Sequence, residues 1–331
     1  MKVLVLQDSS YFSELAVDFS GNEVTFGLPL TTSVTRVLKR FDVVVSCLDH
    51  DVFAHRTILL ANFLGIPTVY VSDGVYDITN SIKNPAMAAL GRRQLFPAAY
   101  STIFCVGDRF SDWYSQFYPS VNVYSYFPKR AELRKSDISQ EPKSVLFTTA
   151  LKPYFDEVDF QSLVRECRLL LKDLSGSEYL IKMRVSDERL LRALPEYRKY
   201  NSTEGCLSDA VYSSSCVIST ASTVLYSCFE YGVPHILLNH RNDEVLYSID
   251  YSLNKGDRIS FERLSQLISG DTSDREPNVG VFFSDYKYEA SAGLVSSSSD
   301  FMNTGIRYLS RKVYRLFPPS FRKKIKRILG R

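Results

Sequence analysis

The chain has 331 residues, 45% of them hydrophobic, enough for two buried cores of ordinary size and too many for a largely disordered protein. Its net charge of +3 conceals an asymmetry: ten Lys/Arg and no Asp/Glu lie between Arg307 and Arg331, leaving 30 basic against 37 acidic residues elsewhere. A basic face spread over the body, as nucleic-acid binding requires, is therefore excluded.

From the N-terminus, the runs 2–7, 42–48, 67–72 and 101–106 are short, rich in Val and Ile, and not alternating. They predict strands of a parallel sheet buried on both faces. Segments 52–64 and 85–95 between them predict crossover helices, the first closed by Gly65 and Pro67. After a charged, Pro-bounded linker at 131–143, the pattern restarts. Strands are predicted at 144–150, 178–184, 215–220 and 234–239, with helices at 158–174 and 222–231. The expected fold class is α/β: an N-terminal Rossmann-like domain (1–130), the linker, a second Rossmann-like domain (144–300), and a basic amphipathic tail (301–331). The MKVLVLQDSS start is too short in apolar residues for a signal peptide, and no apolar run reaches 18 residues. The six cysteines form no C-x-x-C pair, which suits a reduced, cytoplasmic protein.

The densest chemical signal is the turn at 218–223. A buried strand delivers Ser219, Thr220, Ser222 and Thr223 to the start of a helix that runs to Gly232. A helix start presents free N–H groups and a positive dipole end, and hydroxyls add donors, so a phosphate is the expected ligand. Ser and Thr are also ordinary N-caps, and one or two of them need no ligand to explain them. Asp73-Gly74 ends the third strand, where open α/β sheets place ligands. A carboxylate there suits a general base, although Asp-Gly is also a plain turn. His50 follows the second strand beside Asp49, Asp51 and His55. It is a candidate acceptor contact or alternative base; a metal is not expected, and Asp51 reads as a helix cap. Gln7, Asp8, Ser9 and Ser10 follow the first strand and belong topologically to the same side. Thr148, Thr149 and Lys152 form the first loop of the second half, and His240 and Arg241 follow its last predicted strand.

Together, the 215–239 segment and the Asp73-Gly74 element with downstream Asn80 resemble bacterial surface-polysaccharide transferases of the GT-B fold. That group includes sialyl- and Kdo-transferase-like enzymes and the CDP-glycerol glycerophosphotransferases. The resemblance implies two Rossmann-like domains facing a cleft, acceptor in the first and nucleotide donor in the second. Catalytic candidates are then Asp73 and His50. Donor-binding candidates are Ser219, Thr220, Ser222, Thr223, Thr148, Thr149, Lys182, Arg184 and Glu230. Lys182 and Arg184 enter because relatives carry Lys-x-His-Pro where this chain reads Lys182-Met183-Arg184-Val185. Glu230 enters as a ribose contact, since Ser227 stands where relatives carry an acid. The implied activity is glycosyl transfer, without metal or cofactor, from a nucleotide sugar (a CMP-linked acidic sugar first) to a surface-polysaccharide or lipid-linked glycan. A CDP-alcohol polyol-phosphate transferase and a nucleotide-sugar epimerase are the alternatives. The tail interleaves Tyr308, Leu309, Val313, Leu316 and Phe317 with its basic residues. Such a segment suits an anionic bilayer surface, each basic residue contributing about 1 kcal/mol. The expectation is a peripheral protein at the inner membrane, held through 305–331.

Overall fold

The apolar runs form the inner strands of two parallel sheets in the computed structural model, which describes residues 1–13, 15, 17–28, 34–106, 108–126, 143–247, 249–270 and 281–282. The expected linker, save Lys143, and the expected tail lie outside these residues. In chain order the strands are β1 (Lys2–Val5), β2 (Val17–Asp18), β3 (Glu23–Phe26), β4 (Val43–Ser46), β5 (Thr68–Val71), β6 (Thr102–Val106) and β7 (Asn122–Tyr126). The second half supplies β8 (Ser144–Thr148), β9 (Leu180–Arg184), β10 (Cys216–Ser219), β11 (His235–Asn239) and β12 (Tyr251–Asn254), and β13 (Val281–Phe282) pairs with β2. The first sheet runs β3-β1-β4-β5-β6-β7 and the second β12-β11-β10-β8-β9, every ladder parallel.

All residues of β4, β5, β6, β8, β10 and β11 are buried, as strands covered on both faces must be. Helices begin where the caps predict. Asp51 accepts from the Ala54 amide (2.6 Å) to start helix Val52–Phe63, and Asp156 caps helix Glu157–Ser175 through the Asp159 amide (2.9 Å). Helix Pro85–Leu90 is shorter than the predicted 85–95 because Gly91, at φ +68°, takes the left-handed conformation that ends it. Among the described residues no helix is long and apolar enough to cross a membrane.

Each sheet reverses its strand order once. The chain leaves β1 toward β3 and returns to the other side at β4; it leaves β8 toward β9 and returns at β10. At such a point the loops leaving the carboxyl ends diverge and open a crevice. Side chains stitch both crevices. Gln7 donates to Ser46 Oγ (3.2 Å) and accepts from the Cys47 amide (3.0 Å), linking the ends of β1 and β4. Thr220 accepts from the Ala150 amide (2.9 Å), linking the ends of β10 and β8.

Asp49, at the end of β4, is fully buried, and with Arg92 and His55 it forms a charged knot beneath the first crevice. Its carboxylate pairs with the Arg92 guanidinium and accepts from the Leu95 amide (2.7 Å); Arg92 also donates to the Asp49 carbonyl (3.0 Å). His55 Nδ1 stands 3.6 Å away. Burial opposes charge on Asp49, but His55 and Arg92 outweigh it and hold the carboxyl below the usual range. Asp49 and His55 are thus committed to the core, and Asp51 caps a helix.

Arg92→Leu is expected to cost about 3–5 kcal/mol in urea unfolding, because it strands a buried carboxylate. The double variant Asp49→Leu/Arg92→Leu should recover much of that loss. Burial first, then the Arg92 charge, lowers the His55 pKa from 6.5. The folded protein therefore resists protonation there. This share of stability is complete above about pH 6.5 and is lost as pH falls toward the depressed value. Thermal midpoints taken from pH 7.5 to 5 should fall in that window, and His55→Gln should flatten the slope.

Candidate active site

The carboxyl ends of the two sheets face one another across a cleft with two cavities. One, of about 370 Å³, takes one wall from Asp73, Gly74, Val75, Asp77 and Asn80 and the other from Ala150–Pro153, Phe155, Thr220–Thr223, His240 and Arg241. The other, of about 660 Å³, lies within the first half at the β1/β4 crevice and is lined by Leu6, Gln7, Asp8, Ser10, Tyr11, Leu15, Leu48 and Asp73. Asp73 is the residue common to both. Its Oδ2 accepts from the Tyr11 phenol at 2.5 Å. Gly74 brings this backbone against the opposite wall: a Cβ built on it would meet Thr223 Cγ2 at 3.4 Å.

The hydroxyl-rich turn divides between core and cavity wall. Ser219 is fully buried, donates to the Thr220 carbonyl (2.9 Å) and contacts His235 Nε2 (2.8 Å). Ser219 lies outside the cavity lining, whereas Thr220, whose hydroxyl only accepts from the Ala150 amide, lines the cavity with Ser222 and Thr223. Ser222 and Thr223 immediately precede helix Val224–Tyr231: Ser222 Oγ accepts from the Val224 amide (3.4 Å), and the Ser222 and Thr223 carbonyls accept from the Leu225 (3.4 Å) and Tyr226 (3.1 Å) amides, leaving the positive dipole end toward the cavity.

Other expected residues take structural roles. Thr148 donates to the Arg184 carbonyl (2.7 Å) and joins β8 to β9. The Thr149 hydroxyl is buried without a hydrogen-bond partner, just before the lining residues. Arg184 donates to the carbonyls of Glu204 and Gly205 (both 2.7 Å), and Lys182 reaches Ser213 Oγ (3.5 Å). Both belong to β9, an edge strand, and neither lines the two cavities. His50 is exposed and lines neither cavity, because the chain turns outward between buried Asp49 and the Asp51 cap. Glu230 lies in helix Val224–Tyr231; its side chain is outside the described residues. Asn80 and His240 line the donor-side cavity, His240 buried and donating from Nε2 to the Pro153 carbonyl (3.0 Å). Burial, then the neighbouring Arg241 charge, depresses the His240 pKa, so it is neutral at pH 7.

Sequence reasoning singled out Arg241 but missed the pairings that join the halves. Arg241 pairs with Asp77 of the first half and with Asp243 (2.8 Å), while Thr79 donates to Asp243. Lys83 reaches Asp156 (2.9 Å) and Asp159 (3.0 Å) across the same edge. Arg241 is thus neutralised by two carboxylates. Lys152, exposed at the mouth, is the cation without an ion pair among the described residues lining the donor-side cavity. Tyr11 was also missed: nothing local ties a tyrosine to a carboxylate 62 residues away.

No family model and no curated protein matches the chain. Among solved structures it is similar to a putative UDP-N-acetylglucosamine 2-epimerase from Listeria monocytogenes (TM-score 0.53, 11% identity, covering 85% of this chain and 99% of that one). It is also similar to the UDP-GlcNAc 2-epimerase of Methanocaldococcus jannaschii in complex with UDP-GlcNAc and UDP (TM-score 0.50, 10% identity, 94% and 100% covered). The apo form of the lipopolysaccharide outer core galactosyltransferase WaaB matches with a TM-score of 0.45, 10% identity and 94% and 100% coverage. These likenesses concern the fold, and the fold is GT-B: two Rossmann-like α/β halves facing a cleft.

Proposed function

We propose that the protein is a metal-independent glycosyltransferase in which Asp73 is the general base. The observation that carries the reading is the position of Asp73 between two cavities, one with the features of a phosphate site and one without. In this reading the donor phosphate rests against Ser222, Thr223 and the helix start, with Lys152 as counter-charge. The sugar extends toward Asp73, and the acceptor enters from the Gln7–Tyr11 side. Asp73 removes the proton of the acceptor hydroxyl as that oxygen bonds the anomeric carbon. The bond from that carbon to the phosphate oxygen breaks, and the nucleotide leaves with its charge against the turn hydroxyls, the positive end of the helix dipole and Lys152. Tyr11, donating to Oδ2, orients the carboxylate.

The second cavity favours transfer over epimerisation, which needs no second substrate. One unpaired cation suits the single charge of a phosphodiester better than a diphosphate, which supports a CMP-linked donor over a UDP-linked one. A surface-polysaccharide acceptor remains part of the proposal, as does membrane attachment through 305–331.

Calorimetric titration with CMP, CDP, UDP and GDP tests the reading: CMP should bind most tightly, and binding by none would overturn it. Asp73→Asn should leave the nucleotide Kd unchanged while slowing nucleotide release from the matching sugar donor by about a thousandfold. Tyr11→Phe should lower kcat about tenfold, again without changing nucleotide affinity.

A further inference from the structure

The larger cavity differs from the donor-side one in its charge. It is lined by two carboxylates, Asp8 and Asp73, by the polar groups of Gln7, Ser10 and Tyr11, and by three leucines, Leu6, Leu15 and Leu48. No Lys, Arg or His is among these lining residues. Gln7 is spent on Ser46 and Cys47, so its amide holds the wall and contributes little to a ligand. Asp8 is different. It stands at the N-cap of helix Ser9–Phe12 yet makes no side-chain cap bond, and it is exposed at the cavity wall. A carboxylate in a hydroxyl-rich, half-apolar cavity is an acceptor for ligand O–H donors, and the leucines offer surface to C–H faces. Its volume of about 660 Å³ falls within the usual range for ligand pockets, about 300–1,000 Å³.

We infer that this cavity binds an uncharged, hydroxyl-bearing sugar residue and rejects an anionic one, Asp8 accepting from the acceptor's hydroxyls while Asp73 addresses the hydroxyl that reacts. The inference rests on the glycosyltransferase reading and narrows its acceptor. An acceptor ending in a carboxylate or phosphate would enter a site with two like charges and no lining cation to offset them, a penalty well above that in bulk water. If the donor carries an acidic sugar, product and acceptor then differ in charge at the transferred end. A freshly extended chain is a poor acceptor at this site, and the enzyme adds one residue per neutral terminus instead of polymerising.

The full chain, with CMP added, is titrated by saturation-transfer NMR with methyl β-galactoside and methyl N-acetyl-β-glucosaminide, and in parallel with the methyl glycoside of N-acetylneuraminic acid and with glycerol 3-phosphate. At least one neutral glycoside should bind and the two anions should bind at least about a hundredfold more weakly. Asp8→Ala should weaken the neutral glycoside about tenfold, and Asp8→Lys should restore binding of an anion. Equal binding of neutral and anionic probes, absence of any neutral binding, or indifference to Asp8→Ala overturns the inference. The CMP titration on the same samples separates the two levels. If CMP binds and the glycosides fail, the acceptor inference falls and the donor site stands; if CMP fails, the parent reading falls. Retained CMP affinity in the Asp8 variants also shows that they are folded.

Discussion

The site depends on two sheets that each change direction once and present the opened ends to one another. A parallel sheet that never reversed would leave its loops lying side by side with no crevice between them. The gap would be of little use if it were loose. Gln7 holds the ends of β1 and β4 together, and Thr220 holds the ends of β10 and β8. Both are side-chain bonds to loop backbone or to a neighbouring hydroxyl, which keeps the crevice width independent of the loops' own flexibility. Ser222 and Thr223 line one opening, and Asp8 and Tyr11 line the other.

Holding the halves in register falls to charges. Arg241 is enclosed by Asp77 and Asp243 with 9% of its side chain exposed, and Lys83 bridges to Asp156 and Asp159 at the rim. Burial works against a charged Arg241, and the two carboxylates more than compensate. Such a buried network adds little net stability compared with apolar packing, but it tolerates few alternative alignments. Its value here is geometric, since the distance from Asp73 to the Ser222–Thr223 wall is set by how the halves sit. The same network removes Arg241 from phosphate duty, leaving Lys152 as the positive charge at the mouth.

The inner strands were legible from sequence because burial on both faces leaves an unbroken Val/Ile signature, as in β4, β5 and β10. Of the strands that were not foreseen, β2 and β13 form a separate two-residue pairing, and β3, β7 and β12 are edge strands with half-exposed patterns such as Glu23–Phe26 and Asn122–Tyr126. Water on one side dilutes the signal that periodicity reads. For the site, position at a strand's carboxyl end pointed to Asp73 and the 219–223 turn, and Asp73 and Thr220–Thr223 line facing walls of one cavity. It was no guide to which hydroxyls reach the cavity: Ser219 looks like Ser222 in sequence, yet it is buried against His235. Arg184 and Lys182 looked like ligands because strand order is invisible in a linear chain. Placed on the edge strand β9, they face a neighbouring loop and helix end. Tyr11, Asp77 and Arg241 act through pairings across 62 and 164 residues, which no local pattern encodes.

The apolar packing also crosses the cleft's floor. Tyr226, from the helix that begins at the hydroxyl turn, packs into the first half's core with Val3, Val5 and Phe12, and Leu246, beyond β11, joins the cluster around Tyr70 and Tyr100. The first half's core is therefore completed by the second. Expressed separately, the second half would expose Tyr226 and Leu246 to water, and the first would be left with the two gaps they fill. The molecule is then one cooperative unfolding unit despite its two sheets, and splitting it at the connecting segment should yield fragments that gain order chiefly on meeting each other.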